Sequence, residues 1–142
     1  MSRLQNPGIG EVSDRLTILA LKIRYGLDAG RDISHFQRES AGLQTKIRSA
    51  TLNGSWFEFV LQLGAVNARL WALEDQMQEY EKQYTLQRQP PEGTWTGTTE
   101  LSTLLREAGL CGIQIRRLNA ERARLVEAIN AQTGDPHEEK QG

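Results

Sequence analysis

The sequence predicts an all-α fold, an antiparallel four-helix bundle with a long helix 3–helix 4 hairpin. Apolar residues recur at every third or fourth position over four segments, and this spacing places side chains on one face of a helix. Turn-forming residues separate the segments, and short connections favour antiparallel neighbours. The chain has 142 residues, enough to bury a core, and we expect one domain over residues 1–142.

The first two helices are predicted over residues 7–26 and 32–51. Asn6 is a good N-cap, and Pro7 suits the first helical position because its missing N–H would have no partner there. A turn at 28–30 follows the first helix. The apolar row of the first helix consists of Ile9, Val12, Leu16, Leu19 and Ile23. The thinner row of the second consists of Ile33, Phe36, Ser40, Leu43, Ile47 and Ala50.

The third and fourth helices are predicted over residues 55–86 and 99–132. Ser55 with Glu58 matches a capping box at the start of the third helix. The loop 87–98 between them contains two prolines and two glycines, which exclude a helix, and a charged tail follows at 134–142. The third row consists of Phe59, Leu63, Val66, Leu70, Leu73, Met77, Tyr80 and Tyr84. The fourth consists of Leu101, Leu104, Ala108, Cys111, Ile115, Leu118, Arg122, Leu125 and Ile129.

Composition and motifs exclude several classes of function. Charged residues make up 25% of the chain and the net charge is −1, which argues against nucleic acid as a partner. No segment is apolar enough to span a bilayer, so we expect no membrane association and a cytoplasmic location. Cys111 is the single cysteine and is expected to be a small core residue. No metal-binding or nucleophile motif is present, so we expect no metal, no cofactor and no catalytic residue.

Several polar residues lie inside or beside the apolar rows. Arg122 interrupts the fourth row, and a buried guanidinium needs a carboxylate or carbonyl partner. If helices one, three and four are neighbours, the cluster could be a polar layer that sets helix register, an anion or carboxylate pocket, or a partner-facing groove. The candidate ligand-binding residues are Asp14, Arg15, Lys22, Asn67, Glu74, Asp75, Asn119 and Arg122.

Two further features leave alternatives open. Gly109 and Gly112 interrupt the fourth helix, where each costs about 1 kcal/mol relative to alanine. They indicate close packing against a bulky neighbour, a hinge, or a place where a ligand meets backbone. Trp95 lies in the Pro/Gly loop and either covers the core or acts as an aromatic anchor for a partner.

Three segments carry a family resemblance: residues 10–19 with Lys22, residues 67–75, and residues 119–122 followed by Leu125, Ile129, Asn130, Gly134 and residues 138–140. They resemble an uncharacterised family of small helical proteins, classed as a domain of unknown function. Its members occur in bacterial sugar-polymer loci and in tailed-phage genomes. The resemblance implies a helical architecture and draws attention to the polar cluster, but it implies no activity. The Pro/Gly/Trp loop departs from the family, whose members are helical there.

The sequence therefore favours a non-enzymatic helical interaction or structural module, encoded by a phage or a bacterium. We expect it to self-associate or to dock on a protein partner. We expect the protein in the cytoplasm of a bacterial or phage-infected cell, with a virion as the alternative location. The alternative is a small-anion or ligand-binding protein, or an enzyme accessory, that uses the polar cluster inside the bundle.

Overall fold

The computed structural model describes residues 7–88 and 98–133, and over these ranges the chain is all-α with no strand. The four helices are α1 (Ile9–Asp28), α2 (Ser34–Arg48), α3 (Gly54–Arg88) and α4 (Thr98–Thr133). Helices α3 and α4 form a long antiparallel hairpin, because hydrogen-bonded partners follow in opposite order along them: Arg69 with Gln114, then Leu73 with Cys111. The predicted fold class, an antiparallel four-helix bundle with a long hairpin, is confirmed.

Two compact units divide the chain. The first unit comprises residues up to Ala68 and residues from Glu121 onward, so it contains α1, α2, the start of α3 and the end of α4. The second unit comprises Arg69–Ala120, the remaining parts of α3 and α4. The single domain expected over residues 1–142 stays a prediction.

The first unit has a core built from three of the predicted apolar rows. Ile9, Leu63, Leu125 and Ile129 form its centre and are all at most 4% exposed. Burial of each such side chain contributes about 1.5–3 kcal/mol. Every member of the four predicted rows is buried or half-buried, so the prediction of the inward face of each helix is confirmed. Helix α2 has no fully buried residue, in agreement with its thinner row.

The two ends of α1 differ from the prediction. The helix begins after Gly8, whose carbonyl accepts from the Val12 N–H at 3.0 Å, so Pro7 precedes the helix and does not occupy its first position. At the other end the helix continues past Gly26 to Asp28. The Arg31 N–H donates to the Gly26 carbonyl, and Gly30, at φ 70°, supplies the left-handed residue of a Schellman cap.

A side chain that precedes the helix accepts from a backbone N–H at the start of both α2 and α3; at α2 it belongs to Asp32, while the N-cap residue is Ile33. Asp32 Oδ1 accepts from the Ser34 N–H at 3.0 Å and from the Ser34 hydroxyl, so α2 begins two residues later than predicted. The predicted cap of α3, Ser55, is wrong. Asn53 is the cap, because its Oδ1 accepts from the Trp56 N–H at 3.2 Å and Ser55 lies inside the helix.

Three predictions fall on other parts of the chain. The N-cap residue Asn6, most of the predicted loop 87–98 including Trp95, and the predicted tail 134–142 lie outside the described residues. The helices flanking the loop reach Arg88 and resume at Thr98, so they extend by one or two residues beyond the predicted ends.

Candidate functional site

An ion pair between α1 and α4 lies at the centre of the polar cluster in the first unit. Arg122 donates from Nη2 to Asp14 Oδ2 at 2.6 Å and from Nε to Asp14 Oδ1 at 2.9 Å. The Asp14 side chain is 13% exposed and that of Arg122 is 33% exposed. Two N–H···O bonds to one carboxylate hold both charges in a single geometry. The expectation that Arg122 needs a carboxylate partner is confirmed.

Helix α3 joins this ion pair through Asn67, which is 4% exposed. Asn67 Nδ2 donates to Asp14 Oδ1 and to Thr17 Oγ1, both at 2.8 Å. The Thr17 hydroxyl donates in turn to the backbone carbonyl of Asp14. Both oxygens of the Asp14 carboxylate therefore accept from side chains of the same unit. This internal pairing ties α1, α3 and α4 together, as a layer that sets helix register would.

A second ion pair joins α1 to α2 at the surface. Arg15 Nε donates to Glu39 Oε2 at 2.8 Å and Arg15 Nη2 donates to Glu39 Oε1 at 3.0 Å. This hydrogen bonding raises the pKa of Arg15 and lowers the pKa of Glu39. Lys22, further along α1, lies with Nζ 5.5 Å from the centroid of the Phe36 ring, a cation–π distance.

Removing the charge at the second pair is expected to have a small, pH-dependent effect. Glu39 has a pKa lowered from its ordinary 4.5, so its ionised form stabilises the fold above that pH. The stabilisation is lost as the pH falls through the lowered folded value. Because both side chains are about 40% exposed, we expect Glu39→Gln to cost only about 0.2–1 kcal/mol at neutral pH.

Urea unfolding of the native chain and of Glu39→Gln at several pH values measures this difference. The two unfolding free energies should converge in acid, well below pH 4.5, and should also approach each other in high salt. A difference that grows as the pH falls would contradict the assignment.

The remaining candidates lie elsewhere. Glu74, Asp75 and Asn119 belong to the second unit and are exposed. The structure thus brings Asp14, Asn67 and Arg122 into one hydrogen-bonded group. It places Arg15 and Lys22 beside partners on α2.

A polar contact that the sequence did not predict closes the start of α1 against the end of α4. The Gly10 N–H donates to Asn130 Oδ1 at 2.7 Å, and Asn130 Nδ2 donates to Glu11 Oε1 at 3.0 Å. Gly10 and Asn130 are buried. A Cβ on Gly10 would overlap the Val126 carbonyl oxygen, so the two helix backbones meet here without a side chain between them.

Trp56 supplies another unpredicted contact, because its indole Nε1 donates to the hydroxyl of Ser13 at 3.0 Å. Ser13 is 1% exposed. Partners such as Ser13, Glu39 and Asn130 are ordinary polar residues, and their spacing carries no signal before the helices are docked. Ser13 and Asn130 each directly follow an apolar residue of a predicted row, but that position does not identify a partner.

In the second unit, Cys111 is a core residue as predicted. It is 5% exposed, its Sγ lies 3.4 Å from the Leu73 carbonyl oxygen, and burial raises the pKa of its thiol. The thiol therefore stays protonated and poorly nucleophilic at neutral pH. Close packing at Gly109 is wrong within the described residues, because a Cβ there would meet no atom within 4 Å. At Gly112 it would meet only Met77 Cε, at 3.6 Å.

A largely exposed apolar row runs along α3 in the first unit, on a face turned away from Leu63. We call it the outer α3 row. Its two large side chains, Phe57 and Leu61, are 57% and 58% exposed. The row consists of Phe57, Leu61, Gly64, Ala65 and Ala68, which recur at helical spacing; all are exposed except Gly64, which is half-buried. A Cβ on Gly64 would meet nothing within 4 Å, so the row has a hollow at its centre. Sequence reasoning missed this row because the stronger inward row lies on the same helix.

Neither a metal site nor a membrane span has support in the part of the chain that the structure describes. Its residues 7–88 and 98–133 hold no group of three or more His, Cys, Asp or Glu side chains arranged to bind a metal ion. Among the described helices, none combines the length and apolarity that a membrane span requires. No family model matches the chain, and no curated protein or solved structure matches it either.

Proposed function

We propose that this chain is a non-enzymatic helical interaction module that docks on a protein partner through the outer α3 row. The observation that carries the proposal is the exposure of Phe57 and Leu61 one helical turn apart. Glu58 is the single charged residue from 54 to 68, so the face offers apolar surface with almost no charge to desolvate. Exposed apolar rows of this kind suit helix-to-helix docking.

The polar cluster supports the same proposal, because its charges are used within the chain. An anion pocket needs a cation free to meet the ligand. Arg122 is bound to Asp14, Arg15 is bound to Glu39, and Lys22 lies over the Phe36 ring. The ligand-binding alternative would have to break these pairs before binding anything. The cluster is therefore better explained as the frame that holds α3 in place than as a binding site.

The family resemblance suggests the biological setting of the module. On that basis we place it in a bacterial or phage-infected cell, encoded near sugar-polymer genes or in a tailed-phage genome. Docking within the cytoplasm and assembly into a virion both fit a small helical module. Neither setting requires a metal, a cofactor or a catalytic residue.

Site-specific photo-cross-linking in the producing bacterial cell tests the proposal. A benzophenone amino acid replaces Leu61 in one strain and Gln62 in a control strain. Gln62 is also exposed and is adjacent in sequence, but it lies off the row. We expect a discrete cross-linked protein band from position 61 and a much weaker one from position 62. The cross-linked protein is then identified by mass spectrometry.

Leu61→Lys provides the functional variant. Because Leu61 is mostly exposed, the change should alter the unfolding free energy by no more than about 0.5 kcal/mol while abolishing the band from a cross-linker at position 57. Gln62→Lys adds the same charge off the row and should preserve the band. Equal cross-linking from positions 61 and 62, or insensitivity to Leu61→Lys, would overturn the proposed docking face.

A further inference from the structure

The outer α3 row has a pattern of large and small residues that is complementary to itself. We infer that its partner is a second copy of this chain, paired antiparallel along α3 about a two-fold axis between positions 62 and 63. This inference rests on the proposed function and names its partner.

The shape of the outer α3 row favours antiparallel pairing. The antiparallel two-fold places Phe57 against Ala68 of the second copy and Leu61 against Gly64 of the second copy. Each large exposed side chain therefore meets a small residue, and both contacts occur twice because the interface is isologous. A methyl group added to Gly64 would meet nothing within 4 Å beyond the adjoining backbone of its own helix, so the hollow there can receive Leu61. A parallel pair would instead oppose Phe57 to Phe57 and leave Gly64 facing Gly64.

The charge of Glu58 also favours the antiparallel arrangement. In a parallel pair the two Glu58 carboxylates would lie side by side at an apolar interface, where like charges repel. In the antiparallel pair they lie nine residues apart along the axis, roughly 13 Å at the rise of an α-helix. That separation exceeds the Debye length at physiological salt, so their repulsion is screened. The net charge of −1 adds little long-range repulsion between copies.

The surface area buried between the two copies indicates how tightly they bind. Phe57 and Leu61 each expose a little over half of the side chain, on the order of 100 Å² apiece given the size of such side chains. Four of them with the small residues between them bury less than about 1,200 Å² in total, which is the class of weak, reversible complexes. The dimer should therefore form in the micromolar range and exchange rapidly.

Sedimentation equilibrium of the purified chain, carried into the high micromolar range, tests for the dimer. We expect a reversible monomer–dimer equilibrium in the native chain and in the off-row control Gln62→Lys. Leu61→Lys should weaken association at least about tenfold. Gly64→Leu is the sharpest variant, because it adds apolar surface but fills the hollow. We expect it also to weaken association at least about tenfold. Stronger association of Gly64→Leu would overturn the proposed pairing.

A short bis-maleimide cross-linker then determines the orientation. Differently tagged F57C and A68C chains are mixed, with the native chain as a control for the buried Cys111. Antiparallel pairing predicts that the mixed F57C–A68C product dominates. Predominance of the F57C–F57C and A68C–A68C products would overturn the inference. A native chain that stays monomeric at every concentration would do so as well. If such a chain still cross-links from position 61 to a different protein in cells, the proposed function survives while the self-pairing fails.

Discussion

Replacing Arg122 with alanine is expected to lower the free energy of unfolding by about 2–4 kcal/mol, because it leaves the largely buried Asp14 carboxylate without its charged partner. Asn67 still donates to Asp14, and the Arg122 side chain is one-third exposed, so the loss should fall below that of a fully buried pair. Urea denaturation of the native and variant chains measures the difference.

Two companion variants separate the lost pairing from other effects. Arg124→Ala removes another arginine of α4 whose partner, Glu121, lies one turn away at the surface, and the melting temperature should hardly move. Asp14→Asn combined with Arg122→Leu removes both charges together. It should recover much of the stability lost in Arg122→Ala, because no carboxylate is left uncompensated. If the double variant is the least stable of the set, the cluster contributes more than charge balance.

Gly10→Ala is expected to cost about 2–4 kcal/mol, although alanine is the better helix former. The added methyl would overlap the Val126 carbonyl oxygen, which belongs to helix backbone and cannot turn aside. The start of α1 must then move away from α4, straining the packing and weakening the hydrogen bond from the Gly10 N–H to Asn130. Thermal and urea unfolding both report the loss.

Gly42→Ala is the matched control for this variant. Gly42 also lies inside a helix of the first unit, but a Cβ there meets nothing within 4 Å. Alanine should therefore stabilise the chain by about 0.5–1 kcal/mol through helix propensity alone. Equal effects at the two positions would show that α1 and α4 are not in close contact at Gly10.

The number of helices, their inward faces and most of their boundaries to within two residues follow from apolar periodicity, whereas α2 ends at Arg48, three residues before its predicted end at 51. Periodicity works because helix geometry is local. The helix ends were less predictable, since more than one residue could cap each of them. Asn53 and Ser55 are both good N-caps two positions apart, and only the hydrogen bond to the Trp56 N–H distinguishes them.

In the polar cluster, too, the sequence predicts what is local but not which distant residues meet. Arg122 stood out because it interrupts an apolar row. A carboxylate partner could be predicted because burying an unpaired charge is costly. Choosing Asp14 over Glu74 or Asp75 needed the docking of three helices, which no spacing along the chain encodes. Glu39, Ser13 and Asn130 acquire their roles only from residues at least 24 positions away.

The contact between Gly10 and Asn130 has a consequence for the order in which the protein is completed. It joins residues 120 positions apart, so the N-terminal turn of α1 receives its side-chain acceptor from the far end of α4. During synthesis α1 emerges before α4, and this N–H has no such acceptor until residue 130 has been made. Contacts of this sequence separation close slowly, because a long loop must be ordered first. Helix α1 is therefore completed only when α4 docks against it.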